Sequence, residues 1–197
     1  MQVLTLDASG IPHRWASQHS VIKLKYEGNV AWEYAPEESE TFFGGTSRLT
    51  GNRTSISVAP IVAVKGRFRF GKRTPPLTNA NLFRRDLHTC AYCGRFHPTH
   101  KLNRDHIVPQ SRGGEDTWLN CITSCKTCNW EKADRTPVEA DMDLLFKPYV
   151  PSHIERLILQ NPKILHCQHE YLAALLPDHS RVKDASRVVS NVNAWRM

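Results

Sequence analysis

Two C-x2-C pairs, Cys90-Ala-Tyr-Cys93 and Cys125-Lys-Thr-Cys128, are separated by 31 residues, 94–124. That spacing suits tetrahedral thiolate ligation of one zinc ion, with the intervening loop drawing two knuckles together. Gly94, directly after the second sulfur, allows the tight turn such a knuckle needs. Four thiolates leave no open coordination position, so a zinc held by Cys90, Cys93, Cys125 and Cys128 would be structural. The alternatives are two disulfides or free thiols, and His88, His97 and His100 are possible replacement donors, but the four cysteines are the simplest set. Cys121, beside Ile122, reads as a packed thiol rather than a fifth ligand. Reduced thiols in a cytosol favour zinc over a disulfide framework.

The pairs bracket a stretch dense in ligand and acid–base groups. Leu102-Asn-Arg-Asp-His-Ile-Val-Pro109 reads as a strand ending at proline, with Asp105 and His106 near its end. Asn129 follows Cys128 directly, so an ion that fixes the thiolate also brings the amide close. Asp105 and Asn129 offer hard oxygen donors, suited to Mg2+ or Mn2+. The bracket thus separates into a closed thiolate site that sets geometry and an open, oxygen-rich site where chemistry can occur.

The chain has 197 residues, 40% of them hydrophobic, enough for one compact domain or a small domain with attachments. A formal charge of +7 is compatible with a polyanionic partner as well as with ordinary solubility. No signal peptide and no membrane-spanning run is visible, so a cytoplasmic protein with no membrane partner is expected.

The organisation expected is an N-terminal α+β region (1–77), a metal-bearing domain (78–150) and a C-terminal helical extension (151–197). In the first, residues 3–6 read as a strand that Ile11-Pro12 breaks, and Ser17 to Tyr26 as an amphipathic helix with Val21, Ile22 and Tyr26 inward. Gly28-Asn29 stops it, and Val30 to Tyr34 alternates as a strand. Residues 35–54 read as a loop, and Ser55 to Val64 as a strand that Pro60 interrupts or places at an edge. In Lys65 to Arg73, alternation sets Arg67 and Arg69 on one face and Phe68 and Phe70 on the other. This reads as a phosphate-contacting ribbon or as a solvated strand with one buried face. Thr78 to Asp86 reads as a capped helix that packs Leu82 and Phe83 and leaves Arg84 and Arg85 for phosphates. Thr136-Pro-Val-Glu139 is a capping box predicting a helix to about Leu145, with Ala140, Leu144 and Leu145 as its stripe. Two further helices are expected over 151–160 and 161–176. There His166, Cys167 and His169 do not share a helical face and read as surface or packing residues.

Several motifs together resemble the HNH endonuclease family, in its zinc-stapled bacterial and phage branch. They are Cys90-Ala-Tyr-Cys-Gly-Arg95, Asp105-His-Ile-Val-Pro-Gln-Ser-Arg-Gly-Gly114, Trp118-Leu-Asn-Cys121, Cys125-x-x-Cys-Asn-x-x-Lys132 and Arg135-Thr-Pro-x-Glu-Ala140. The resemblance covers roughly residues 78–150. It implies an α+β fold containing a ββα-metal (His-Me finger) motif: two antiparallel strands and a helix around one divalent cation. It implies that His106 is the general base activating water, that Asp105 and Asn129 ligate the catalytic Mg2+ or Mn2+, and that Asn120 orients the loop holding the base. Asn129 stands where relatives often carry His, which keeps an oxygen ligand, loses an imidazole and argues against a nickel- or zinc-selective catalytic site. Arg104 and Lys132 are candidates for phosphate contact alongside Arg67, Arg69, Arg84 and Arg85; a solvated charged face is the plainer reading of either. The expected activity is metal-dependent hydrolysis of DNA, double-stranded for preference. A non-catalytic zinc-stapled nucleic-acid-binding module and an RNA-directed nuclease are the alternatives. One motif set per chain suggests one nick per protomer and leaves the oligomeric state open.

Overall fold

The computed structural model describes residues 1–36, 39–66, 74–161 and 163–183. The chain forms two compact units: Met1–Gly71 with Lys163–Leu175, and Lys72–Pro162 with Leu176–Met197.

The first unit is built on a four-stranded mixed sheet. Its strands are β1 (Gln2–Asp7), β2 (Pro12–Ser17), β3 (Val30–Tyr34) and, after a separate two-stranded ribbon of β4 (Glu40–Thr46) and β5 (Arg53–Val58), β6 (Ile61–Val64). The sheet order is β2-β1-β6-β3, with β1 parallel to β6 and the other pairs antiparallel. Helix α1 (Gln18–Tyr26) follows β2, and Ser17 caps it by accepting a hydrogen bond from the Ser20 amide. Val3, Val21, Val58 and Val62 form the core on one side, with Phe42 packed against it.

The predicted strand–helix–strand is present, but Pro12 opens β2 rather than ending a strand. Proline is tolerated as the first residue of an edge strand because it has no amide to offer the ladder. Tyr26 is 92% exposed, not inward. It lies five residues, or about 140° of helix rotation, beyond the buried Val21, which carries it off the packed face. The loop expected over 35–54 contains β4, paired antiparallel with β5 through a register shift between Phe43 and Thr46 that spans Gly44-Gly45. Cross-strand pairing holds this ribbon, and a local polar, glycine-rich composition does not reveal it. Pro60 does interrupt the apolar run, between β5 and β6. The basic residues Arg67 and Arg69, with Phe68 and Phe70, lie outside the described residues.

The second unit begins with α2 (Asn79–Arg85), capped by Thr78, with Leu82 and Phe83 buried as expected. The strands β7 (Leu102–His106) and β8 (Cys121–Cys125) form an antiparallel pair that runs directly into α3 (Lys126–Lys132). Helix α4 (His153–Gln160) has a full capping box from Ser152 and Glu155. Helix α5 (His166–Ala173) belongs to the first unit, where Gln168 donates to the carbonyls of Gln2 and Pro60. It begins five residues after Asn161, later than predicted. Ser180 returns to the second unit by donating to Glu155 at 2.8 Å, while Trp195 lies outside the described residues.

Two expectations in this unit fail. The helix from Thr136 to Leu145 does not form. The capping hydrogen bonds are present, but residues 137–141 make turns and Asp141 takes a positive φ of 55°. The segment then runs back to the first knuckle, where the Leu145 amide donates to Ala91 O. Glu139 accepts from the Thr136 amide and pairs with Arg112, which together hold its carboxyl down to about 2.

Arg85 is not free for phosphates, because its side chain is completely buried. Its guanidinium donates to both Asp86 carboxylate oxygens at 2.8 and 3.0 Å and to the carbonyls of Trp118, Tyr149 and Cys121 at 2.8–3.0 Å. All five N–H donors of the fork are used. Asp86 in turn accepts from the Thr123 amide on β8. Arg85→Met would leave a buried carboxylate without its cation, and breaking a buried pair in this way costs about 3–5 kcal/mol. The expected result is a large fall in thermal midpoint in differential scanning calorimetry.

Candidate active site beside a four-cysteine cluster

The sulfurs of Cys90, Cys93, Cys125 and Cys128 all lie within 4.8 Å of one another. Gly94, at φ +71°, makes the turn of the first knuckle and donates its amide to Cys90 O at 3.0 Å. Cys125 caps α3, its sulfur accepting from the Cys128 amide at 3.4 Å. Four cysteine donors converging without a disulfide fit the tetrahedral demand of zinc.

Each knuckle delivers a residue to the neighbouring cleft. Tyr92, inside the first C-x2-C pair, donates its hydroxyl to Asp105 Oδ2. Burial and the Asp105 carboxylate both raise the phenol's pKa, so the group stays a donor. The second pair opens α3, which carries Asn129 and Lys132. Asp105, His106, Asn129, Lys132 and Arg104 line one open polar cleft of about 190 Å³.

Lys132 is only 1% exposed, so it does not present its charge to a phosphate backbone as expected. Its ammonium donates to Asp105 Oδ1 and to His106 O, both at 2.9 Å. Arg104 lines the cleft, but its guanidinium already serves Asn79, Leu77 O and Asp116. Arg84 is half-buried along a different groove, beside Pro75, Trp118 and Arg156.

His106 sits at the end of β7, and its Nε2 is 2.6 Å from Asp116 Oδ1. The hydrogen bond from His106 and the bond from Arg104 hold the Asp116 carboxyl below its usual range. An ionised Asp116 accepts, so Nε2 carries the imidazole proton and Nδ1 the lone pair. Asp116 was not singled out in the sequence. It lies in a loop ten residues from His106, and only the path of residues 107–120 brings the two together.

That path is tightly closed. Asn120 accepts from the Val108 amide at 2.9 Å and donates to Val108 O and Glu115 O at 3.1 and 3.0 Å. Gly114 passes so close that a Cβ would stand 1.7 Å from Val108 O. No side chain fits there, so the second glycine of Gly113-Gly114 is needed for close approach. Asn120 therefore clamps the loop that joins His106 to Asp116.

The donor set suits a hard divalent cation. Asp105 and Asn129 supply oxygens from adjacent elements, and a carboxylate that accepts from Tyr92 and Lys132 still has lone pairs to offer. His166, Cys167 and His169 form no such cluster among the described residues.

The His106–Asp116 pair and the four-cysteine cluster both lie within one stretch of the second unit. Residues 90–145 match a family model described as HNH endonuclease. This segment, well under half of the chain, is an HNH endonuclease family segment, as the motifs implied. No curated protein matches the chain.

Proposed function

We propose that the chain is a metal-dependent DNA endonuclease, with β7, β8 and α3 serving as its ββα-metal motif. The observation that supports this most is the meeting of Asp105, His106 and Asn129 in one cleft, with His106 held by Asp116. His106 is the general base, its Nδ1 lone pair taking a proton from the attacking water while Asp116 fixes the imidazole's tautomer and angle. Asp105 and Asn129 would hold Mg2+ or Mn2+, which supplies charge neutralisation at the phosphate when bound. Tyr92 and Lys132 set the direction of the Asp105 carboxylate. Cys90, Cys93, Cys125 and Cys128 would hold the structural Zn2+. Arg104, at the cleft, is the cation best placed to meet a backbone phosphate.

The test is conversion of supercoiled plasmid to open circles by the purified full chain with Mg2+ or Mn2+, run beside a structured RNA. Inertness toward both nucleic acids with every divalent cation would sink the proposal and favour a binding module. Cleavage of RNA alone would redirect it.

Asp116→Asn keeps the shape but weakens the acceptor. It should lower kcat about 10–100-fold, the usual cost of losing an orienting partner, with KM and thermal midpoint little changed. Asp116→Glu should restore part of the rate. An equal loss in both variants would count against an orienting role.

A further inference from the structure

One thiol beside the cleft has no part in the hydrolysis. Cys121 is buried at the start of β8, directly across the β7/β8 ladder from His106. Residues opposite each other in such a ladder project on the same face. Cys121 Sγ lies 3.6 Å from Asp116 Oδ1, which is itself 2.6 Å from His106 Nε2. The sulfur, oxygen and nitrogen all lie within 4.8 Å of one another.

We propose that His106 Nε2, Asp116 Oδ1 and Cys121 Sγ form a second zinc site, one that inhibits the enzyme. The inhibitory part rests on the nuclease reading; the binding part does not. Thiolate, carboxylate and imidazole are the three side-chain donors that zinc takes, and three of them leave a fourth position for water. Bonds of roughly 2.0–2.3 Å set tetrahedral donors about 3.3–3.8 Å apart. The Cys121–Asp116 separation already fits, and the His106–Asp116 pair needs to open by about an ångström. The thiolate selects against Mg2+ and Mn2+, so the cation that activates the cleft and the one that silences it differ in softness.

Inhibition follows from the tautomer. With Asp116 as partner, the imidazole proton sits on Nε2 and Nδ1 is the base. A zinc ion takes the Nε2 lone pair, so the single proton of the neutral ring moves to Nδ1. His106 then donates where it had accepted, and cannot take a proton from water. The ring keeps one proton throughout, and the Cys121 thiol releases one to solvent. Two features weaken the site relative to the four-cysteine cluster: it offers one thiolate where the cluster offers four, and Arg104 Nη1 stands 3.1 Å from the same Asp116 oxygen. It therefore fills second.

The experiment begins with full-length protein carrying one equivalent of zinc and adds Zn2+ in equilibrium dialysis. Wild type should saturate at two ions per chain, and Cys121→Ala and Asp116→Asn at one. Cd2+ titration of wild type, followed by 113Cd NMR, should give a four-thiolate signal and then a second one typical of mixed sulfur, nitrogen and oxygen ligation. Zn2+ inhibition of Mg2+-driven nicking, scored against each protein's own zinc-free rate, should weaken at least ten-fold in Cys121→Ala. Saturation of wild type at one ion, absence of the mixed-ligand signal, or a second ion retained by Cys121→Ala would overturn the site. A second ion bound as described by a protein that cuts no nucleic acid supports the site and removes the nuclease reading instead.

Discussion

Removing the zinc ion that we propose Cys90, Cys93, Cys125 and Cys128 hold is expected to unfold the second unit. Structural zinc contributes roughly 10–16 kcal/mol in small zinc-binding peptides at neutral pH, while a whole domain is stable by about 5–15 kcal/mol. The loss is therefore as large as the stability available. The consequences are also local. Without the first knuckle Tyr92 leaves Asp105, and without the second α3 loses the Cys125 cap together with the placement of Asn129 and Lys132. Strong chelators, or Cys128→Ala, should abolish the cooperative thermal transition of this unit and any cleavage with it. Added Zn2+ should restore both to chelated wild type and neither to the variant. A chelated protein that keeps its native circular dichroism and its activity would rule out a structural role for the cluster.

The second large effect is on rate alone. His106→Ala is expected to lower kcat by about 10²–10⁴, the usual range for losing a general base. The side chain is partly exposed at a strand end, and its partner Asp116 retains Arg104. Folding and zinc content should therefore stay close to wild type. Single-turnover cleavage and metal analysis of the same sample separate the two readouts. Unchanged cleavage at equal zinc content would remove His106 from the reaction.

What the sequence revealed, and what it hid, follows from range. The four cysteines are legible because ligand chemistry demands a fixed spacing, and Cys128-Asn129 adjacency carries that certainty one residue further. The cap of α2 is a local hydrogen bond between neighbours, so Thr78 can be read directly. Charge is where local reading failed. Arg85 and Lys132 look like surface cations, but their partners lie 26–64 residues away, apart from the adjacent Asp86, and only the folded chain pairs them. Tyr92 and Asp116 were missed for the same reason. Nothing in C-A-Y-C shows that its tyrosine reaches Asp105, and nothing in Glu115-Asp116 shows which imidazole it meets. The helix expected after Thr136 had a good start signal but little beyond it: Glu139 turns to Arg112, and the chain returns to Ala91.

The Lys132–Asp105 pair has one more consequence. Because the ammonium already balances the carboxylate, the cleft is close to electroneutral at that point before any divalent ion arrives. A dication settling on Asp105 and Asn129 would bring nearly its whole charge uncompensated, and would be held weakly on its own. A phosphodiester supplies the missing negative charge, so each binds better in the presence of the other, by the same factor in either direction. On the proposed function, Lys132 would thus make the metal ion and the phosphodiester cooperative ligands of the cleft.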